Sequence, residues 1–167
     1  MSDIKLPRTL FFAILAGGII FGLRDFAALP DRMASHFGAS GMPNGWMPKN
    51  AFLLIYLAVL FAAFSVEFLV PRSLAKKSDR SINLPNKAYW LAPERRAETF
   101  AFFDKFFAWY GCAFLLLEVC VLELAIQANF QTPPALPTGP IITLLVAFGA
   151  FNIGGIVFII RRFSRPA

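Results

Sequence analysis

Few side chains in this sequence offer chemistry, and the most versatile of them is a single histidine. His36 lies in the polar stretch LPDRMASHFGASGMPNGWMPKN, residues 29–50, between two apolar blocks. An imidazole can ligate a metal or act as a general base near neutral pH. A zinc site needs three or four protein ligands, and this stretch holds no cysteine and no second histidine. We therefore expect no metal at His36 and no cofactor, and we expect His36 to fix the loop through a hydrogen bond or a salt bridge.

Three carboxylates inside apolar blocks are the other candidates for chemistry: Glu67, Glu118 and Glu123. An ionised carboxylate in hydrocarbon costs about 2.5–3.5 kcal/mol on insertion scales, so each should be paired, protonated or turned to a protein interior. Glu67 precedes Pro71 by four residues and is expected to reach the membrane interface. Glu118 and Glu123 lie about 140° apart around a helix and so do not form one acid/base pair. Glu123 and Gln127 share a face, which leaves open both a structural hydrogen-bonded seam and a proton or ion path.

The elements that carry these residues are apolar enough to be membrane spans. Apolar residues make up 57% of the chain, charged residues only 16%, and 20 of the 167 residues are Phe, unlike a soluble domain. A hydrocarbon core of about 30 Å takes roughly 20 helical residues, and four blocks reach that length, at about 9–29, 51–70, 106–128 and 140–160. The sequence predicts an all-α, four-helix transmembrane bundle that forms a single integral membrane domain over residues 1–167.

Local signals refine the helix ends. The first block ends at Arg24 and Asp25 without a small-x-small cleavage site, so we expect a retained span rather than a signal peptide. A long helix is predicted to begin at Pro93 and to run without a breaker to about Asn129. Asn44-Gly45 predicts a tight turn.

Small residues recur four apart on two of the blocks, at Gly18 and Gly22 and at Ala150 and Gly154. Such pairs permit close helix approach, and both packing within the chain and dimerisation remain open.

The basic residues are distributed unevenly among the connections. Two of the sixteen precede the first block, eight lie between the second and third, and three follow the fourth, whereas the other side has only Arg24, Arg32 and Lys49. Because Lys and Arg are retained on the cytoplasmic side, both termini and the long middle loop are predicted to be cytoplasmic. Residues 29–50 then form an ordered, Gly/Pro-rich outer loop. The net charge of +6 suits anionic headgroups and gives no case for nucleic acid.

This topology suggests a partner for His36. Glu123 lies near the outer end of the third span, where an unpaired carboxylate would be costly. We expect His36 to contact Glu123, with Asp31 as the second candidate.

Two motifs give the chain a family resemblance. The stretch 29–49 resembles the short domain of unknown function at the N-terminus of SdpI-like bacterial membrane proteins, and NLPNKAYWLAPERR, residues 83–96, is similar to a cytoplasmic segment of the same group. The matching positions are Leu29, Pro30, His36, Phe37, Gly41, Gly45, Trp46 and Lys49, then Asn86, Lys87, Tyr89, Trp90 and Pro93. The resemblance implies a relative of an immunity and signalling protein that counters a secreted toxin and interacts with a membrane-bound repressor. This chain has only four spans and lacks the additional C-terminal spans of that member.

Together these features predict a non-enzymatic binding or accessory protein of the bacterial inner membrane that acts through residues 29–50. Its predicted ligand or partner contacts are His36, Phe37, Trp46, Lys49, Tyr89 and Trp90. The expected partners are the lipid bilayer and other membrane proteins or a secreted peptide, in an oligomeric state that the sequence leaves open. Two alternatives remain. One is a structural accessory subunit of a respiratory or photosynthetic complex, and the other is a membrane-embedded, metal-dependent enzyme or proton-linked transporter that uses His36, Glu118 and Glu123.

The charge distribution predicts the membrane topology directly. Reporter fusions at Asn44 and at Thr138 should report the outer compartment, and a fusion at Ser78 should report the cytoplasm, because the basic residues cluster on the Ser78 side. A compartment-specific enzyme reporter measures each fusion. The reverse assignment at any of the three positions would contradict the predicted orientation.

Overall fold

The computed structural model describes residues 4–165 as a bundle of long helices with one small sheet. The helices are α1 (Lys5–Phe26), α2 (Lys49–Phe64), α3 (Val70–Lys76), α4 (Lys87–Trp90), α5 (Pro93–Asn129) and α6 (Thr138–Ser164). A π-helical turn, Ser65–Leu69, joins α2 to α3, and a 3₁₀ turn, Asp79–Ser81, follows α3. By length and composition, four helical segments can cross a membrane: α1, Lys49–Lys76, α5 and α6. The predicted four-helix bundle is confirmed, and the chain is a helical multi-pass membrane protein.

Helix α5 is the central element of the bundle. It begins at Pro93 and ends at Asn129, as the sequence predicts, and its 37 residues extend about 56 Å at 1.5 Å per residue. The helices α1, α2 and α6 all pack against it. One end of the bundle, here called the basic end, joins the beginnings of α1 and α5 to α4 and the end of α6. The opposite end, the hairpin end, carries the sheet and the α5–α6 connection.

The first pair of small residues packs inside the chain. The Tyr56 hydroxyl of α2 donates a hydrogen bond to the Gly18 carbonyl of α1 at 2.5 Å. A Cβ at Gly18 would lie 2.7 Å from Val119 of α5, and one at Gly22 would lie 2.9 Å from the Tyr56 ring. These glycines therefore let α1, α2 and α5 approach closely. In contrast, a Cβ at Gly154 would meet no atom within 4 Å.

Residues 29–50 fold into a β-hairpin, which the all-α prediction missed. Its antiparallel strands are β1 (Arg32–Phe37) and β2 (Pro43–Pro48), with Ala34 opposite Trp46 and a bulge after Ala34. The chain turns at residues 38–42, where the Gly38 N–H bonds to the Met42 carbonyl at 2.8 Å and Gly41 has a φ of 78°. The tight turn predicted at Asn44-Gly45 is wrong, because both residues lie within β2.

Asn129, the last residue of α5, attaches the hairpin to the bundle. Its Oδ1 accepts the Ala34 N–H at 2.7 Å, and its Nδ2 donates to the Ala34 carbonyl at 2.9 Å and to the Ala125 carbonyl at 2.8 Å. The Leu136 N–H donates to the Gly41 carbonyl at 2.9 Å. Ala34 is fully buried and Asn129 is only 5% exposed. Strand β1 and the turn are thus bonded to the α5–α6 end.

Removing the Asn129 side chain should release the hairpin without unfolding the bundle. Asn129→Ala leaves the buried Ala34 N–H and carbonyl without partners, at a cost of about 1–3 kcal/mol. Hydrogen exchange of the Ala34 amide should accelerate while that of the α5 core stays slow. The control is Gln131→Ala, whose side chain is exposed at the same end. Equal protection of Ala34 in both variants would contradict the assigned role.

Candidate functional site

His36 pairs across the hairpin rather than with an acid. Its Nδ1 donates a hydrogen bond to Oδ1 of Asn44, and the ring lies on the exposed surface. Within residues 4–165, His36 forms no ion pair with a carboxylate, so the predicted contact with Glu123 or Asp31 is wrong. The reason is the strand register, because the bulge sets His36 opposite Gly45 and brings the neighbouring Asn44 within reach.

The two acids expected at His36 have other partners. Asp31 pairs with Nζ of Lys49 at 3.1 Å. Glu123 accepts a hydrogen bond from Gln127 at 2.8 Å, as expected for residues that share a helix face, and lies 3.9 Å from Arg24. Arg24 in turn holds Asp25 at 2.5 Å. Asp31 and Glu123 are therefore each paired with a nearby cation or hydrogen-bond donor other than His36.

The other predicted contact residues of the hairpin region differ in how much of their surface is exposed. Lys49, the first residue of α2, also donates to the Leu29 carbonyl at 3.5 Å and lies over the Phe26 ring, which ties the start of α2 to the end of α1. Phe37 is half-buried. Trp46 remains 44% exposed, and Met42, which the sequence analysis did not single out, is 50% exposed. These two apolar side chains are the hairpin's accessible contact surface.

At the basic end, Trp90 and Tyr89 have different surroundings. Trp90 is 4% exposed, and its Nε1 donates to the Phe163 carbonyl at 2.9 Å while its own carbonyl accepts from Thr99 at 2.8 Å. It joins α4, α5 and α6 and has little surface left for a partner. Tyr89 is half-buried, with the Arg95 guanidinium 3.9 Å from its ring centroid. Tyr89 has more accessible surface than Trp90, and the contact role of both residues stays a prediction.

The acids of the spans are not gathered into one site. Glu118 is partly buried, with one oxygen buried and lacking a hydrogen-bond partner. Among the described residues, His36, Glu118 and Glu123 share no hydrogen bond or ion pair, and no group of three or more His, Cys, Asp or Glu side chains is placed to hold a metal ion. The trio of the enzyme or transporter alternative is not brought together.

Glu67 differs most from its expectation. It was expected to reach the membrane interface, yet it is 0% exposed and belongs to a charged cluster contributed by three elements. Arg8 of α1 places its Nε 3.9 Å from Oε1 of Glu67, and its Nη2 donates to the two carboxylate oxygens of Asp104, on α5, at 3.2 and 3.4 Å. Both Glu67 oxygens and the Arg8 Nε are buried without a hydrogen bond. We name Arg8, Glu67 and Asp104 the charged cluster.

Two residues explain why Glu67 points inward. Pro71 has no N–H to donate to the Glu67 carbonyl, and the helix widens at Ser65–Leu69 so that the Val70 N–H bonds to the Ser65 carbonyl. Such π-helical turns often occur at functional sites. On the facing α5, Gly111 leaves room for the acid, because a Cβ there would lie 2.8 Å from Glu67 Cβ and 3.2 Å from its Oε2. From the sequence, Pro71 could have indicated the π-helical turn. The sequence could not show that Gly111 of α5 faces Glu67.

Comparison with known proteins finds one family match. Residues 13–61 match a family described as Domain of unknown function (DUF1648). The matched region runs from within α1 through both strands into α2. It contains the hairpin motif of residues 29–49 but not Glu67, α5 or α6. No curated protein matches the chain, and no solved structure matches it.

The hairpin geometry predicts which side chains are energetically coupled. His36→Ala and Asn44→Ala should show non-additive effects on the free energy of unfolding, with a coupling of about 0.5–1.5 kcal/mol for the shared hydrogen bond. His36→Ala and Glu123→Gln should be additive, because their side chains have separate partners. Denaturation in mild detergent measures both cycles. Additive His36 and Asn44 effects, or coupled His36 and Glu123 effects, would contradict the described contacts.

Proposed function

We propose that this protein is a non-enzymatic binding protein of the bacterial inner membrane, with both termini cytoplasmic, and that it recognises its partner through the hairpin. One observation carries the proposal. The hairpin is bonded to α5 and to the α5–α6 connection, yet Trp46 and Met42 remain 44% and 50% exposed. A fixed platform that presents a large aromatic side chain loses little conformational entropy on binding.

The backbone groups at the edges of the hairpin favour an extended peptide as the bound partner. Asn129 bonds both backbone groups of Ala34 and so occupies the outer edge of β1. Residues opposite each other in an antiparallel pair either exchange both hydrogen bonds or exchange none. Trp46, opposite Ala34, therefore directs its N–H and carbonyl towards the open edge of β2. An extended segment can add to such an edge and pack on the Trp46 ring.

Prolines at both ends of β2 limit how long this added strand can be. Pro43 and Pro48 have no N–H to donate, and prolines commonly restrict pairing at strand edges. Only the central part of β2 can bond an incoming chain. The proposed partner is therefore a short extended segment, from a secreted peptide or from the outer region of another membrane protein.

A more specific form of this proposal is a role in immunity or signalling. It is supported by the resemblance of residues 29–49 to SdpI-like proteins, and this motif lies wholly inside the region that matches the domain of unknown function. A protein that protects a membrane against a secreted toxin needs a recognition element on the outer face. The hairpin supplies such an element if the charge distribution sets the topology as proposed.

Site-specific photo-crosslinking in native membranes tests the proposal. A photoreactive residue in place of Trp46 should give a discrete peptide or protein adduct, because the proposed partner contacts this exposed position from the aqueous side. The control position is Leu54 of α2, which is 69% exposed on a predicted span and should react with lipid alone. Lipid adducts alone at both positions would show that Trp46 is an interfacial anchor and would overturn the proposal.

A further inference from the structure

The charged cluster at the basic end is a second site, remote from the hairpin and outside the matched region. We propose that Glu67 is a proton-binding site, loaded from the basic end, where Arg8 and Asp104 border it. The ligand is a proton, which bonds to one carboxylate oxygen of Glu67. This site is independent of the hairpin and of any partner bound there.

The Glu67 carboxylate lacks hydrogen-bond donors among the described residues. The side chain is fully buried, and neither oxygen accepts a hydrogen bond from any described residue. The nearest cationic atom, Arg8 Nε, is 3.9 Å from Oε1, too far for a hydrogen bond. An ionised carboxylate loses its hydration on burial and needs such bonds to compensate. A bound proton removes the charge instead.

The charge count of the cluster leads to the same result. Arg8 directs its Nη2 to Asp104, not to Glu67, so one cation already serves one anion. With Glu67 ionised, the three groups sum to one negative charge. Addition of one proton to Glu67 makes the cluster neutral, while Arg8 remains a cation throughout. A neutral cluster is the favoured state where the dielectric is low.

Two further groups on the packed elements lie near the charged cluster, Cys112 and Arg72. Cys112 of α5 is buried, and its Sγ donates to the Pro7 carbonyl of α1 at 3.0 Å, so the thiol is already bonded. Arg72 of α3 is exposed and lies over the Phe68 ring at 5.9 Å, which separates it from the cluster interior. Arg8 and Asp104 are then the charged groups next to Glu67 among the described residues.

A path from water to Glu67 follows the cluster itself. Relative side-chain exposure falls from 35% at Asp104 and 32% at Arg8 to 0% at Glu67. The side of the cluster that water reaches is therefore the side of Asp104 and Arg8. The net step transfers one proton from a hydronium ion in the water at the basic end to a carboxylate oxygen of Glu67 and leaves a neutral water molecule.

The local backbone shows that the position is built for this acid. The π-helical turn directs Glu67 towards α5, and Gly111 provides the space that its carboxyl group occupies. The burial of Glu67 is therefore set by the backbones of two helices, not by a partner of its carboxylate.

Infrared difference spectroscopy of the full chain in lipid nanodiscs tests the proposal near neutral pH. The stretching band of a protonated carboxyl group should be present in the wild type and lost in Glu67→Gln, which mimics the neutral acid. Glu118→Gln is the matched control, and the Glu67 band should persist in it. Asp104→Asn removes one negative charge from the cluster, so that the neutral state is an ionised Glu67 beside Arg8, and the band should weaken or disappear in this variant.

A second variant keeps the test decisive if Glu67→Gln does not fold. Gly111→Ala crowds the Glu67 carboxyl and should shift the frequency of the same band, whereas a band that arises from Glu118 should not move. Absence of any protonated carboxyl band from the wild type would overturn the proposal. So would a band that persists in Glu67→Gln and disappears in Glu118→Gln. A Glu67 band of unchanged intensity in Asp104→Asn would contradict the charge balance on which the proposal rests.

Discussion

The pair of hydrogen bonds between Asn129 and Ala34 determines the architecture of the hairpin end. A two-stranded hairpin is marginally stable alone, and its outward backbone groups need partners where water is scarce. Asn129 supplies an acceptor and a donor to the same residue, so that one side chain takes the place of a third strand. Because the backbone groups of Ala34 are bonded in this way, the exposed Trp46 opposite it directs its own backbone groups to the other edge of the hairpin.

Helix α5 connects this end to the charged cluster. Asn129 terminates it at the hairpin, while Asp104, in its first half, and Gly111, at its midpoint, face Arg8 and Glu67. The remaining long helices pack against the same helix, so both sites share one rigid element. The two sites nevertheless differ in how their polar groups are stabilised. The hairpin end relies on fully bonded polar groups and exposed apolar surface, whereas the basic end retains a buried acid whose oxygens have no donors.

The sequence predicted the features that depend on local signals. Pro93 and the uninterrupted helical pattern gave both ends of α5, and hydropathy gave the four spans. The hairpin escaped prediction because glycines and prolines interrupt the alternation of its short strands, and because its stabilising contact joins residues 95 positions apart. Glu67 was misplaced for a similar reason. Its distance from Pro71 suggested the interface, while the space that buries it comes from Gly111 on another helix.

The central claim is that the hairpin is a fixed platform on the end of α5. Spin labels attached by cysteine-independent chemistry at the exposed Ser40 and Gln131 report the distance between the hairpin turn and the end of that helix. Pulsed electron spin resonance in lipid nanodiscs should give one narrow distance distribution, because Gly41 and Ala34 are both bonded to that end. A broad or multiply populated distribution in the otherwise native chain would contradict the account.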